Sequence, residues 1–345
     1  MTRPVVAWYV HHHGQGHLGR LLAVRPHVDA DVVCFSSLPR PAALPADTAW
    51  VELPRDDTDG GAAESGLPAD ADPTAHGLLH WAPLGHDGHR GRFARIAAEV
   101  ARLRPAAFVV DVSTEVALFA RLLGVPVVLM TQPGDRVDRP HGLAFQAAER
   151  IVAPWPGELL APAHLAGLDV VYVGGVSRHE GRVAAPSERS GVLVLSGRGG
   201  TDVTRASVRA ARDATPGEHW SMIGVADLDT DDDLVWTDDV FGAVSSAEIV
   251  VAWAGQNSVA DLAVAGARAV VVPQARPFDE QLATAEALDR AGLAVVERAW
   301  PEPDRWREVL VAARALTPDW SRWLTSGASA RAGAAIDDVV RRWSR

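Results

Sequence analysis

One cysteine, Cys34, stands among 345 residues, so no internal disulfide braces this chain. Its place in the apolar run Asp31-Val32-Val33-Cys34-Phe35 marks a buried strand residue rather than a nucleophile. Lysine is absent: all 33 basic residues are arginines, set against 44 acids, for a formal charge of −11. That balance excludes a nucleic-acid partner, because phosphate binding needs a concentrated excess of basic residues. It also shows no basic membrane-docking patch, although scattered arginines leave peripheral membrane contact open. No apolar run approaches the roughly 18 residues of a membrane span. After Met1-Thr2-Arg3-Pro4 the chain enters the short apolar run 5–10 with neither a long hydrophobic region nor a small-residue cleavage site. A cytoplasmic location without a secretory signal is the expectation. Abundant Ala, Gly and Arg without lysine suit a high-GC bacterial coding sequence.

What is present reads as two alternating series. Strands at 5–10, 31–36, 50–53, 107–112 and 125–130 are interleaved with helices from about His17, near 89–103 and over 115–123. Nearly all-apolar strands separated by helices mean a parallel sheet covered on both faces. Between Pro54 and His76 the chain is acidic and rich in Gly and Ala, as loops and lids are. A strand at 170–173 is followed by residues without either period. A second series then runs through strands 192–196, 219–223, 234–236, 249–252, 269–272 and 294–296 and helices near 203–214 and over 240–246, 258–265 and 280–291. The expected fold class is α/β, with two Rossmann-like domains facing each other across a cleft. The expected division is a first domain at 1–175, a linker at 176–190 and a second domain at 191–325. A last segment at 326–345 is expected to pack back on the first domain through its amphipathic stretch 328–343.

Four stretches carry chemistry. The first, His11-His12-His13-Gly14-Gln15-Gly16-His17, follows a strand and opens a helix, where Gly14 and Gly16 let backbone approach a ligand closely. His17 at the helix start would face the crevice, and an imidazole there suits removal of a proton near neutral pH; a capping or core histidine is the alternative. The three successive histidines give no metal site, because neighbours in an extended segment point to opposite faces and only His11 and His13 would meet. The second stretch, Ser196-Gly197-Arg198-Gly199-Gly200, is again a strand-to-helix turn. Its N–H groups and the Arg198 guanidinium suit a diphosphate, and a tight structural turn is the other reading.

The third, Gly255-Gln256-Asn257-Ser258 followed by Asp261, brings a second helix N-terminus to the sheet edge. Asn257 or Ser258 would cap it and Asp261 would complete a capping box, or else accept hydrogen bonds from both hydroxyls of a ribose. The fourth, Asp279-Glu280-Gln281, offers acceptors and an amide to sugar hydroxyls, with Asp279 also suited to capping. Asp227-Leu228-Asp229 and Asp231-Asp232-Asp233 have the composition of a metal-binding pair but lie in a continuous polar run, read as a solvated loop.

These motifs resemble the GT-B glycosyltransferases, and within them family 28. The likeness is most detailed over 247–297, and "HHHGQGHLGR" and "LVLSGRGGTD" are similar to that family's N-terminal and interdomain Gly-rich turns. The resemblance implies His17 as the acceptor-side base, Ser196 to Gly200 as the phosphate cradle and Asp261 as the ribose ligand. It also implies Glu280 with Gln281 as donor-sugar contacts, and a base pocket near Ile223, Val240 and Phe241. The family commonly carries glutamate where Asp261 stands and more glycines in the N-terminal turn. Trp81, His86, His89 and Asp111 match nothing assigned.

The leading reading is an inverting transfer from a nucleoside-diphosphate sugar, UDP-linked, to an acceptor hydroxyl, with no prosthetic group; no metal is expected, because the N–H groups of 197–200, the Arg198 guanidinium and the helix N-terminus at Ser258 can stabilise the leaving charge. A nucleotide-sugar hydrolase or 2-epimerase on the same fold is the second reading, and a non-catalytic nucleotide-sugar-binding protein the third.

Overall fold

The computed structural model describes residues 3–56, 71–183, 188–196, 201, 203–223 and 239–344, and every structural statement below concerns these. The first series forms β1 (Val5–Tyr9), α1 (Gly16–Val24), β2 (Asp31–Ser36), β3 (Thr48–Glu52), α2 (Asp87–Leu103), β4 (Ala107–Asp111), α3 (Thr114–Leu122), β5 (Val127–Met130), α4 (Arg139–Ala147), β6 (Arg150–Ala153) and β7 (Val170–Tyr172). Its seven strands are all parallel, in the order β3-β2-β1-β4-β5-β6-β7.

The second comprises β8 (Val192–Leu195), α5 (Arg205–Ala214), β9 (Trp220–Ile223), α6 (Val240–Ser246), β10 (Ile249–Ala252), α7 (Gln256–Ala265), β11 (Ala269–Val271), α8 (Glu280–Arg290) and β12 (Val295–Val296). These strands form a second parallel sheet, β12-β11-β10-β8-β9. Helices α9 (Trp306–Ala315) and α10 (Ala328–Trp343) follow.

Strand alternation explains why each sheet is sandwiched. Val6 and Trp8 face one side, against Leu21 and Val24 of α1 and Ile336 and Val339 of α10, while Ala7 and Tyr9 face the other, against Ile96 of α2 and Val116 of α3. Ile336 and Val339 are fully buried. Each such side chain contributes about 1.5–3 kcal/mol relative to exposure, enough to hold the C-terminal helix on the first sheet. Arg150 adds an ion pair to Asp338 at 2.7 Å. No helix among the described residues is long and apolar enough to cross a membrane.

In each sheet the strand order reverses once in a way that opens a crevice. Beside β1 sits β4, and beside β8 sits β10, so chain leaving β1 and β4, or β8 and β10, departs in opposite directions around a gap at the carboxyl edge. Ligands of open parallel sheets bind at such points. The two sheets bring these edges together. Asn257 Nδ2 of α7 donates to Gly16 O of α1 at 2.9 Å, and Arg20 Nη1 donates to Gln256 Oε1 at 3.3 Å. Further along, Asp135 N donates to Phe278 O at 2.7 Å. Gly134, at φ +103, makes that approach: a Cβ there would lie 2.0 Å from Phe278 O.

Several element ends differ from expectation. The third helix start is the informative one: α7 begins at Gln256 with Gly255 as N-cap and without a side-chain cap. Asn257 and Ser258 therefore lie inside the helix, and Asp261 does not close a capping box. Its carboxylate accepts from Ser177 instead. Asp279 occupies the N-cap position of α8 but makes no side-chain cap either. The acidic stretch 227–233, the strand expected at 234–236 and most of the loop between Pro54 and His76 lie outside the described residues.

Candidate active site

A cleft of about 1090 Å³ runs between the two sheet edges. His17, Gly14 and Gly16 line its first-sheet wall. Ser196, Ile223, Val240, Gly255, Gln256, Asn257, Ser258, Asp261, Glu280 and Gln281 line the other. Phe241 does not join them: it is buried, with its ring 5.1 Å from that of His179 and beneath the Arg182 guanidinium. That correction follows from helix geometry, since consecutive residues of α6 point about 100° apart and only Val240 turns to the cleft. Gly197, Arg198, Gly199 and Gly200 lie outside the described residues.

The centre of the first wall is a pair that spans the β1–β4 crevice. His17 is in the first turn of α1, and its Nδ1 stands 3.1 Å from Oδ1 of Asp111, the last residue of β4. Arg20, one turn further along α1, sets Nε 3.3 Å from Asp111 Oδ2. Asp111 is wholly buried. Burial alone would raise its carboxyl, but the Arg20 guanidinium and then His17 outweigh it and hold Asp111 below the usual carboxylate range. With Nδ1 on the Asp111 side of the ring at that ion-pair distance, Nε2 is the nitrogen on the other side. The residue after Asp111, Val112, has φ +62, an uncommon conformation for a β-branched side chain, at the point where β4 turns into the site.

The sequence singles out His17 but assigns Asp111 no role. An acid closing the apolar run Ala107-Phe108-Val109-Val110 is the available signal. Its partner becomes visible only when β1 and β4 are neighbours.

The three histidines before Gly14 do not splay apart as expected of an extended segment. The chain bends after residue 11, and the rings of His11, His12 and His13 lie within 4.4–5.1 Å of one another. Among the described residues a different trio brings metal-type ligand atoms together, His80, Asp138 and His141. Asp138 Oδ1 lies 2.9 Å from His80 Nε2 and Oδ2 lies 2.6 Å from His141 Nδ1, while Arg136 Nη1 is 2.9 Å from His141 Nε2. These are hydrogen-bond lengths, and a guanidinium against one member disfavours a second cation there.

On the second wall, Asp261 sits beside the segment that follows β7. Ser177 Oγ donates to Asp261 Oδ1 at 2.5 Å, and His179 Nε2 is 4.0 Å from Oδ2. Burial pushes Asp261 up to about 6, against the opposing hydrogen bond from Ser177 and the charge of Arg178. Glu280, which pairs with Arg136 across the cleft at 3.3 Å, is also raised, because burial exceeds the pull of Arg136. Gln281 spends its Oε1 on Gln274 N at 2.9 Å, leaving its Nε2 as a donor.

Comparison with known proteins fits this geometry. The model of the glycosyltransferase family 28 C-terminal domain matches residues 232–301. Over 67% of this chain and 78% of the relative, the sequence is 30% identical to a UDP-N-acetylglucosamine–N-acetylmuramyl-(pentapeptide) pyrophosphoryl-undecaprenol N-acetylglucosamine transferase of Rubrobacter xylanophilus. The transferase of the same name from Halorhodospira halophila is 30% identical over 67% of this chain and 68% of its own. The chain belongs to glycosyltransferase family 28. It is a glycosyltransferase of GT-B fold. Solved structures agree on the fold: the calicheamicin glycosyltransferase CalG4 matches with TM-score 0.66 at 17% identity over the full length of both chains. The kitacinnamycin glycotransferase matches with TM-score 0.66 at 18% identity over 98% of this chain and 99% of its own.

Proposed function

We propose that this family-28 enzyme is an inverting transferase that moves a sugar from a UDP-linked donor to an acceptor hydroxyl. The observation that carries the proposal is the His17–Asp111 pair on one side of the cleft, facing the N-terminus of α7 on the other. His17 Nε2 takes the acceptor proton while Asp111 and Arg20 keep the ring oriented and the forming imidazolium matched by a carboxylate. The acceptor oxygen bonds to the anomeric carbon from the face opposite the diphosphate, and the carbon–oxygen bond to the diphosphate breaks. Its electron pair leaves with the nucleoside diphosphate toward the first-turn N–H groups of α7, and the Gly-rich sequence 197–200 with Arg198 is the further phosphate cradle proposed from the sequence.

Asp261 serves the ribose hydroxyls, Ile223 and Val240 the base, and Glu280 with Gln281 the donor sugar. The relatives' names supply UDP as the expected nucleotide. Thermal shift with a panel of nucleotide sugars tests the donor, since ligand bound to the folded state raises its stability. Donor alone should remain intact. Free or epimerised sugar in that control would instead place the chain among nucleotide-sugar hydrolases or 2-epimerases.

The Asp261 assignment has a pH signature. With its carboxyl raised to about 6, the folded state binds a proton between the unfolded value near 3.8 and 6. Its ionisation thus lowers unliganded stability as pH rises through that window. Ribose hydroxyls donate only to the charged form with full strength, so UDP affinity gains from the same ionisation. Asp261→Ala is expected to weaken UDP binding by about 1–3 kcal/mol at pH 7.5, with the difference shrinking toward pH 5. Calorimetry of both proteins at the two pH values checks it; equal affinities at pH 7.5 would reduce Asp261 to a partner of Ser177.

Transfer is also expected to survive excess EDTA. The charges proposed for the leaving diphosphate are N–H groups, the α7 dipole and Arg198, none of which a chelator removes. Loss of activity in EDTA that magnesium or manganese restores, together with inactivity of an Asp231→Ala/Asp232→Ala variant, would move the diphosphate site to that acidic stretch.

A further inference from the structure

Resting on the reading of Glu280 as a donor-sugar contact, we infer that Arg136 of the opposite wall is a positioning residue for it. Arg136 holds the Glu280 carboxylate and the turn that precedes it, so the first-sheet side of the cleft sets how the second-sheet side grips the donor sugar.

Arg136 lies buried between β5 and α4, and its guanidinium is fixed by its own neighbourhood. Nε donates to Gln132 O at 3.0 Å and to Pro133 O at 3.2 Å, and Nη2 donates to Gln132 Oε1 at 3.1 Å. Nη1 stands 2.9 Å from His141 Nε2. A guanidinium can only donate, so this ring nitrogen accepts, and the ring proton sits on Nδ1, which gives it to Asp138 Oδ2 at 2.6 Å. Asp138 in turn caps α4 by accepting from His141 N. The fork is thus set before it meets Glu280 Oε2, 3.3 Å away across the cleft. An exposed ion pair must order two long side chains to form, whereas here one partner is already ordered.

The turn before Glu280 needs support. Phe278 and Asp279 have φ of +62 and +53, the left-handed region that residues with a Cβ disfavour, and Asp279 gives α8 no side-chain cap. Three contacts from the other wall hold it. Asp135 N donates to Phe278 O at 2.7 Å, Arg136 Cζ lies 4.9 Å from the centroid of the Phe278 ring, and the His141 ring meets that ring edge-on at 4.7 Å. Glu280 and Gln281 line the cleft directly after this turn. Strain held in place from across a cleft, beside residues that line it, points to a ligand contact whose geometry matters. The charge agrees. Burial raises the Glu280 carboxyl, and Arg136 is the largest opposing influence, ahead of His17, Arg20 and Arg276. The ionised carboxylate is the form that accepts strongly from a sugar hydroxyl.

The test uses the full chain. Calorimetry at pH 7.5 gives affinities for UDP, UDP-N-acetylglucosamine, UDP-glucose and UDP-galactose; no binding of any of them would sink the donor reading and this inference with it. Arg136→Met is expected to weaken at least one UDP-sugar by about tenfold relative to UDP, the size of one charge-assisted hydrogen bond. UDP itself is expected to bind as it does to wild type, which also reports an intact fold. Should Arg136→Met fail to bind UDP, Arg136→Lys, which keeps a cation beside the carboxylate, is read in its place, with a severalfold loss expected in the same ratio. Glu280→Gln is expected to show the same sugar-specific loss. The double variant Arg136→Met/Glu280→Gln should lose no more than Glu280→Gln alone, because residues that act through one contact are not additive.

A pH profile of UDP-sugar affinity separates positioning from mere support of the fold. Without Arg136 the effect of burial on Glu280 is less opposed, so on acidification Arg136→Met loses its sugar affinity at a higher pH than wild type. Asp261 contributes the same component to every variant, so the shift is read by difference, and between Glu280→Gln and the double variant it is absent. Equal losses for UDP and the UDP-sugars, losses that add in the double variant, or an unmoved profile in Arg136→Met would overturn the inference while leaving the donor reading intact.

Discussion

Replacing His17 by alanine is expected to lower kcat by roughly 10²–10⁴-fold while UDP affinity changes little, the pattern of a lost general base. The split follows from position. His17 lies on the first-sheet wall against Asp111, whereas the residues proposed to hold the nucleotide, Ser196, Asp261 and the α7 N-terminus, lie on the second-sheet wall. A methyl at 17 removes the proton acceptor without disturbing those contacts. Steady-state kinetics beside UDP calorimetry gives both quantities. An alanine variant that turns over at the wild-type rate would end the assignment, and one that lost UDP affinity in proportion to kcat would make His17 a donor contact instead.

Much of this site is legible in the amino-acid sequence because its parts announce themselves locally. An apolar strand, glycines and a helix start predict a ligand-facing turn wherever they occur, and that pattern puts His17 and the Gly255–Ser258 turn at sheet edges, where they are found. The features that local pattern misplaces depend on partners distant in sequence. Asn257 and Ser258 have the chemistry of N-caps, yet Asn257 gives its amide to Gly16 O of the opposite wall, and Gly255 takes the cap position.

Asp261 has capping spacing, yet Ser177, 84 residues earlier in the chain, claims it. The histidine run would splay its rings if it kept the two-residue period of a strand, but the backbone bends where that period would apply. Resemblance places Phe241 in the base pocket, one residue beyond the position that faces the cleft. Arg136 and Glu280 pair across the cleft from segments with no common motif, so the sequence alone offers no reason to link them.

Asp111 is the sharpest case, and it carries the second large effect. Asp111→Asn is expected to reduce kcat by roughly 10²–10⁴-fold, because an amide cannot both hold the productive ring tautomer of His17 and match the charge of the imidazolium. It is also expected to destabilise the fold by about 3–5 kcal/mol near neutral pH, since Arg20 is left buried without its carboxylate. The linkage has a definite sign. A carboxyl held below its ordinary value stabilises the folded state above the unfolded value near 3.8, and that contribution is lost as pH falls through the depressed folded value. Urea unfolding should therefore show the wild-type advantage intact at neutral pH and shrinking only in strong acid.

Stability and catalysis are separable in one further variant. Arg20→Met combined with Asp111→Leu replaces the buried pair by apolar groups of similar reach, which restores much of the folding free energy. If Asp111 orients His17, this double variant regains stability but stays as slow as Asp111→Asn. Recovery of kcat along with stability would show instead that Asp111 only supports the fold at the β1–β4 crevice.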